Sequence, residues 1–125
     1  MESSNLNILV IKRLWDNELV IQSFREILSF YFESEENKNG VTLYLEDKVR
    51  DHLCLEPYKS LFDTKIQFLN KFDQQHFDLV ITNGGDGTIL WAQKILQREN
   101  LPPFICFDSV SYSSSFELLD LHIRL

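Results

Sequence analysis

The feature that most constrains this chain is a glycine-rich run, Asn83-Gly84-Gly85-Asp86-Gly87-Thr88, which separates two segments of different periodicity. Before it, Asp78 to Thr82 (Asp-Leu-Val-Ile-Thr) is apolar and β-branched, which is typical of a strand buried on both faces. After it, apolar residues recur at helical spacing as far as about Arg98 (Ile89, Ala92, Ile95 and Leu96). A strand, a glycine turn and a helix in this order predict an α/β unit with the turn beyond the carboxyl end of a parallel sheet.

Three further segments predict strands of the same sheet, namely Asn7 to Ile11, Val41 to Leu45 and Phe104 to Phe107. A helix is predicted from about 17 to 32, with Asp16 as its N-cap. The pattern weakens from 46 to 76, where apolar residues after Pro57 suggest another helix (Leu61, Phe62, Ile66, Leu69 and Phe72). The alternation of strands and helices predicts a Rossmann-like, open and mostly parallel sheet with flanking helices, formed as one domain by residues 6–107.

Charge and composition argue against two classes of partner, nucleic acids and membranes. The chain has 125 residues and a formal net charge of −7, with 12 Lys and Arg against 19 Asp and Glu. No basic cluster is present, so a nucleic-acid partner is not expected. The N-terminus lacks the features of a signal or transit peptide, and no apolar run approaches the roughly 20 residues that a membrane helix needs. We therefore expect a cytoplasmic protein without a membrane or nucleic-acid partner.

The glycine-rich run suits phosphate chemistry. Glycines let a ligand approach the backbone closely, and the first N–H groups of the following helix have no partner within the helix. Asp86 adds a carboxylate beside the expected phosphates, which is reasonable if a divalent cation bridges the charges or if the carboxylate receives a proton during phosphoryl transfer. The alternative is a plain βα turn in which Asp86 or Thr88 caps the helix. The run is neither a Walker A loop nor a Gly-x-Gly-x-x-Gly fingerprint.

Leu79 to Ala92 closely resembles the signature of NAD kinases, and Pro102 to Phe107 resembles the strand that follows it in the eukaryotic-type members. Asn7 to Lys12 looks like the family's first strand, which ends in a basic residue. Diacylglycerol and sphingosine kinases share the Gly-Gly-Asp-Gly-Thr core. Many of those lipid kinases continue with an Asn-Glu pair inside the helix, whereas here Ile89 to Ala92 follow.

The resemblance implies ATP-dependent phosphorylation of the adenosine ribose 2′-hydroxyl of NAD to give NADP. Asp86 would be the catalytic carboxylate and a potential contact of Mg²⁺. The nucleotide phosphates would be bound by the remainder of the motif (Asn83, Gly84, Gly85, Gly87 and Thr88). The implied ligands are ATP and Mg²⁺, with NAD as the substrate, and full-length members are expected to be homo-oligomers. Trp91, in the predicted helix after the motif, is expected to pack in the core rather than to stack on a base.

Residues 108–125 depart from the family pattern. The family continues with a glycine-containing turn, a Gly-Phe-Leu step and a second, largely β domain that supplies an Asn-Glu pair and much of the NAD surface. Here a glycine-free segment follows Phe107. We therefore expect a divergent tail over 108–125, a fragment truncated before the second domain, and no NAD phosphorylation by the isolated chain. Two alternatives stay open: a lipid kinase of the diacylglycerol or sphingosine type, and a non-catalytic remnant that binds nucleotide.

Overall fold

The structure is a computed structural model that describes residues 5–12, 18–33, 40–72, 75–84, 86–96 and 101–107. Within these ranges, five strands form one sheet: β1 (Leu6–Lys12), β2 (Val41–Glu46), β3 (Ile66–Leu69), β4 (Leu79–Asn83) and β5 (Phe104–Phe107). Two α-helices flank it, α1 (Glu18–Phe32) and α2 (Asp86–Leu96). Two 3-10 helices, Asp47–Val49 and Leu53–Leu61, lie between β2 and β3.

All neighbouring strands in the described sheet are parallel, and their order is β3-β2-β1-β4-β5. This arrangement confirms the predicted Rossmann-like fold. The chain moves from β1 to β2 and β3 on one side, and from β4 to β5 on the other. The order therefore reverses between β1 and β4, where Lys12 and Asn83 are register partners. Open α/β sheets bind their ligands in the crevice at such a switch point, beyond the carboxyl ends of the strands.

The two faces of the sheet carry separate cores. Ile8 and Val10 of β1 belong to the core that α1 covers, together with Phe24, Ile27 and Leu28. The alternate residues Leu9 and Ile11 belong to the core that α2 covers with Ala92 and Leu96. Because β1 is covered on both faces, its central residues from Ile8 to Ile11 are an unbroken apolar run rather than an alternating one.

The prediction of a helix after Pro57 is wrong. Residues 53–61 form a 3-10 helix that contains Pro57, and residues 66–69 form the edge strand β3. A turn separates them, and Asp63 within it adopts a left-handed conformation with φ 64°. Ile66 and Phe68 both contact the α1-side core, which is the two-residue period of a strand. In so short a segment the apolar spacing fits a strand as well as a helix, and pairing with β2 decides between them.

The predicted tail, residues 108–125, lies outside the described residues, as do residues 13–17. None of the described helices combines the length and the apolar composition that crossing a bilayer requires.

Candidate functional site

Buried polar side chains in the described chain gather at the carboxyl edge of the sheet. Lys12 ends β1, Glu46 ends β2, and Thr82 and Asn83 end β4, with exposed fractions of 2, 6, 0 and 1%. The fifth such residue, Ser23, lies on α1. Burying polar groups is costly unless they are satisfied by partners, so a concentration of them at one edge marks it as the chemically specialised part of the fold.

The turn after β4 starts at this edge with a conformation that favours glycine. Gly84 is buried and has a φ of 155°, which residues with a side chain rarely adopt. α2 begins two residues later, at Asp86. The first N–H groups of α2 have no acceptor within the helix and carry the positive end of its dipole, which suits an anion.

Gly87 lies in the first turn of α2 and is exposed. A Cβ atom built on it would meet nothing within 4 Å. Packing within the chain therefore does not require glycine here, although glycine weakens a helix by up to about 1 kcal/mol relative to alanine. Open space beside a helix start favours a ligand-binding turn over a purely structural one.

Asn83, predicted to bind nucleotide, directs its side-chain oxygen towards α1. The hydroxyl of Ser23 donates a 2.7 Å hydrogen bond to Asn83 Oδ1. This buried bond ties the end of β4 to α1, so Asn83 also has a structural role that its sequence position did not reveal. Its contact with a nucleotide stays a prediction.

The remaining predicted site residues follow Asn83 directly. Gly84 lies directly after the last residue of β4, at the edge of the sheet. Asp86 is the first residue of α2, and Thr88 is half-buried in the same turn of the helix. Gly85 lies outside the described residues, and the side chain of Asp86 is not described either. The chain therefore brings the motif to the switch point between β1 and β4.

A second polar cluster joins α2 to the end of β2. Trp91 Nε1 donates a 2.8 Å hydrogen bond to Glu46 Oε2, and Lys48 Nζ lies 3.2 Å from the same oxygen. The Lys48 ammonium also lies 4.5 Å from the centroid of the indole. The prediction that Trp91 packs in the core is wrong, because the residue is 39% exposed and anchors α2 through a polar contact. These three residues line a cavity of about 560 Å³ beside α2.

The described residues contain no group of three His, Cys, Asp or Glu side chains that would hold a metal by themselves. Mg²⁺ commonly takes one or two carboxylates and completes its shell with water and substrate phosphates. A single carboxylate, such as the one predicted at Asp86, is compatible with that mode of binding.

Residues 2–108 match the family model of the ATP-NAD kinase N-terminal domain. The chain belongs to the ATP-NAD kinase family. Among its relatives, it is 29% identical over 120 residues to ATP-NADH kinase YEF1 of Saccharomyces cerevisiae and 27% identical over 122 residues to the NAD(+) kinase of the same yeast. Both alignments cover 82% of this chain, but 24% and 22% of those kinases. A rice protein, Putative NAD kinase 3 of Oryza sativa subsp. japonica, is 29% identical over 77 residues, which are 55% of this chain and 14% of the rice protein.

The chain thus spans about a quarter of the length of the two yeast relatives. Sequence reasoning identified the motif and the basic residue that ends the first strand, Lys12, but it missed two other buried polar residues, Ser23 and Glu46. For Glu46 a signal was available, since it is a charged residue directly after an apolar strand. Ser23 gave none, because it reads as an ordinary polar residue of an amphipathic helix.

Proposed function

We propose that this chain forms the nucleotide-binding part of an NAD kinase, which transfers a phosphoryl group from ATP to the adenosine ribose 2′-hydroxyl of NAD and yields NADP. The observation that carries the proposal is the position of the glycine-rich turn: Gly84 leaves β4 at the switch point, and α2 starts at Asp86 immediately beyond it. Family membership supports the choice of ATP and NAD.

In the proposed reaction, backbone N–H groups of Gly84 to Thr88 bind the ATP phosphates. The 2′-oxygen of NAD attacks the γ-phosphorus, and the bond from that phosphorus to the β–γ bridging oxygen breaks, so that ADP leaves. Asp86 accepts the hydroxyl proton and keeps the attacking oxygen in line. Asp86 would hold Mg²⁺ together with the ATP phosphates, and the ion would supply neutralisation of the charge that develops on the transferred group.

Domain boundaries and cellular setting are part of the same proposal. Residues 6–107 form the nucleotide-binding domain, and residues 108–125 form a divergent tail. The protein acts in the cytoplasm, and the complete kinase is a homo-oligomer. Sizing chromatography with light scattering on the complete kinase measures its oligomeric state, and a monomer at micromolar concentration would contradict the proposed homo-oligomer.

The test of the catalytic assignment uses a chimera in which residues 1–107 replace the matching part of the yeast NAD(+) kinase, because the chain spans only about a quarter of that relative. In this chimera, Asp86→Asn is expected to lower NADP formation by about 10²- to 10⁴-fold, the usual worth of a general base. Asp63→Asn is the matched control, since Asp63 lies in the exposed turn before β3. Near-normal turnover of a folded Asp86→Asn variant would refute the assignment.

The acceptor is tested in the same chimera with radiolabelled ATP. We expect phosphate to appear on NAD and not on diacylglycerol or sphingosine. Transfer to a lipid would favour the lipid-kinase alternative. ATP binding without transfer to any acceptor, by a chimera that folds like the yeast enzyme, would favour the non-catalytic remnant.

A further inference from the structure

The cavity beside α2 has no part in the mechanism proposed above. Its volume of about 560 Å³ is within the range of about 300–1,000 Å³ that is usual for small-molecule sites. It lies at the carboxyl ends of β2 and β3, which end at Glu46 and Leu69. Its walls combine apolar and polar side chains, among them Leu69, Trp91 and Ile95 with Glu46 and Asn70. A mixed lining of this kind suits a ligand that has both a flat apolar part and hydroxyl groups.

Glu46 supplies a carboxylate to this cavity and is held through one of its two oxygens. Trp91 Nε1 donates to Oε2 at 2.8 Å, and Lys48 Nζ lies 3.2 Å from the same oxygen. Within the described part of the chain, no donor bonds to the other oxygen, Oε1. Anchoring α2 needs only one acceptor oxygen. The two donors on Oε2 fix the orientation of the carboxylate, and Oε1 keeps the capacity to accept hydrogen bonds from a ligand.

The cavity also lies within reach of the glycine-rich turn. In the sheet, β1 lies between β2 and β4, and Val10 of β1 is the register partner of both Leu45 and Ile81. Glu46 and Thr82 follow those two partners and are therefore level with each other at the carboxyl edge. Neighbouring strands are about 4.8 Å apart, so roughly 10 Å separate the end of β2 from the end of β4. An extended nucleotide spans a gap of this order between its ribose and its terminal phosphates.

Building on the proposed function, we propose that this cavity binds the nucleoside part of ATP while the phosphates occupy the turn after β4, and that Glu46 selects a ribonucleotide. Glu46 Oε1 accepts hydrogen bonds from the ribose hydroxyls, which is how a carboxylate holds the adenosine ribose in dinucleotide-binding Rossmann folds. Trp91 is a positioning residue, because it orients the carboxylate through Oε2. A hydrogen bond to a charged group changes affinity by about 10- to 100-fold.

The experiment measures binding of ATP and of 2′,3′-dideoxy-ATP to the 125-residue chain by calorimetry. The unmodified chain is expected to bind ATP about 10- to 100-fold more tightly than the dideoxy analogue. Glu46→Gln keeps an acceptor for Trp91 but removes the charge, so it should reduce most of this preference by weakening ATP binding alone. Asp47→Asn is the matched control, since Asp47 lines the same cavity but is half-exposed and paired with Arg50. It should leave the preference unchanged.

Equal affinity of the unmodified chain for ATP and dideoxy-ATP would overturn the proposal, and so would an equal loss for both ligands in Glu46→Gln, which would indicate a purely structural role. If Glu46→Gln does not fold, the indole N–H resonance of Trp91 in the unmodified chain, assigned by its absence from Trp91→Phe, replaces it. That resonance should shift with ATP but not with tripolyphosphate, and no shift at saturating ATP would overturn the proposal. If the chain binds neither ligand, this proposal and the proposed function both fail. Tripolyphosphate shifts at the Gly84 and Gly87 amides, with an indole that ATP leaves unchanged, refute this proposal alone.

Discussion

Replacing Gly87 with alanine separates the two interpretations of the glycine-rich turn. The added methyl group would meet no atom of the chain within 4 Å, and residue 87 is exposed in the first turn of α2. Alanine favours helix over glycine by up to about 1 kcal/mol, so the free energy of unfolding should stay constant or rise by up to that amount. If phosphates occupy the open space, the methyl group displaces at least one charge-assisted hydrogen bond. Such a bond is worth about 1.5–3 kcal/mol, or about 10- to 100-fold in affinity.

Two measurements on the 125-residue chain test this prediction. Urea unfolding followed by circular dichroism gives the stability, and isothermal titration calorimetry gives the ATP dissociation constant. Gln93→Ala, an exposed substitution on the same helix, is the control and should change neither quantity appreciably. A Gly87→Ala variant that is as stable as the unmodified chain and binds ATP equally well would refute the reasoning, because the space beside Gly87 would then not be the phosphate site.

Three further predictions concern stability, measured by urea unfolding. Ser23→Ala removes the donor of the buried bond to Asn83 Oδ1 and should cost about 1–2 kcal/mol, and a loss below about 0.3 kcal/mol would show that this bond does not hold β4 to α1. Trp91→Phe keeps the aromatic ring but removes the donor to Glu46, and should cost about 1–2 kcal/mol. Tyr31→Phe should be neutral or stabilising at pH 7, since the Tyr31 hydroxyl is buried with no hydrogen-bond partner in the described part of the chain. Burial raises the pKa of Tyr31 above its ordinary value of 10.0, so the unfolded chain loses this proton first and stability should fall as pH rises beyond about 10. Tyr31→Phe should remove part of that alkaline loss, and identical pH profiles would contradict the assignment.

The sheet was predictable because its strands are covered on both faces. The segments Asn7 to Ile11 and Asp78 to Thr82 are nearly continuous apolar runs, and their bounds lie within one residue of those of β1 and β4. The edge strand β3 was not predictable in the same way. Its four residues are too few to establish a period, and pairing with β2, a contact distant in the sequence, is what makes them a strand.

The sequence predicted the glycine-rich turn of the candidate site but not the side chains that surround it. Glycine at 84 and 87 signals a turn directly, because glycine's conformational freedom and its lack of a side chain are local properties. The side chains around the turn are brought together by topology. Lys12 and Asn83 are 71 positions apart in the sequence and become neighbours through the β1–β4 register. Trp91 contacts Glu46, the last residue of β2, because α2 packs on the same face of the sheet as the Glu46 side chain.

The central claim is that the turn after β4 binds nucleotide phosphates, and backbone amide resonances test it most directly. In a titration of the ¹⁵N-labelled chain with ATP, the amides of Gly84, Gly87 and Thr88 should show the largest shifts and saturate with the dissociation constant that calorimetry gives. Adenosine at the same concentrations should leave them nearly unchanged. Shifts confined to another surface, or equal shifts with adenosine, would contradict the claim.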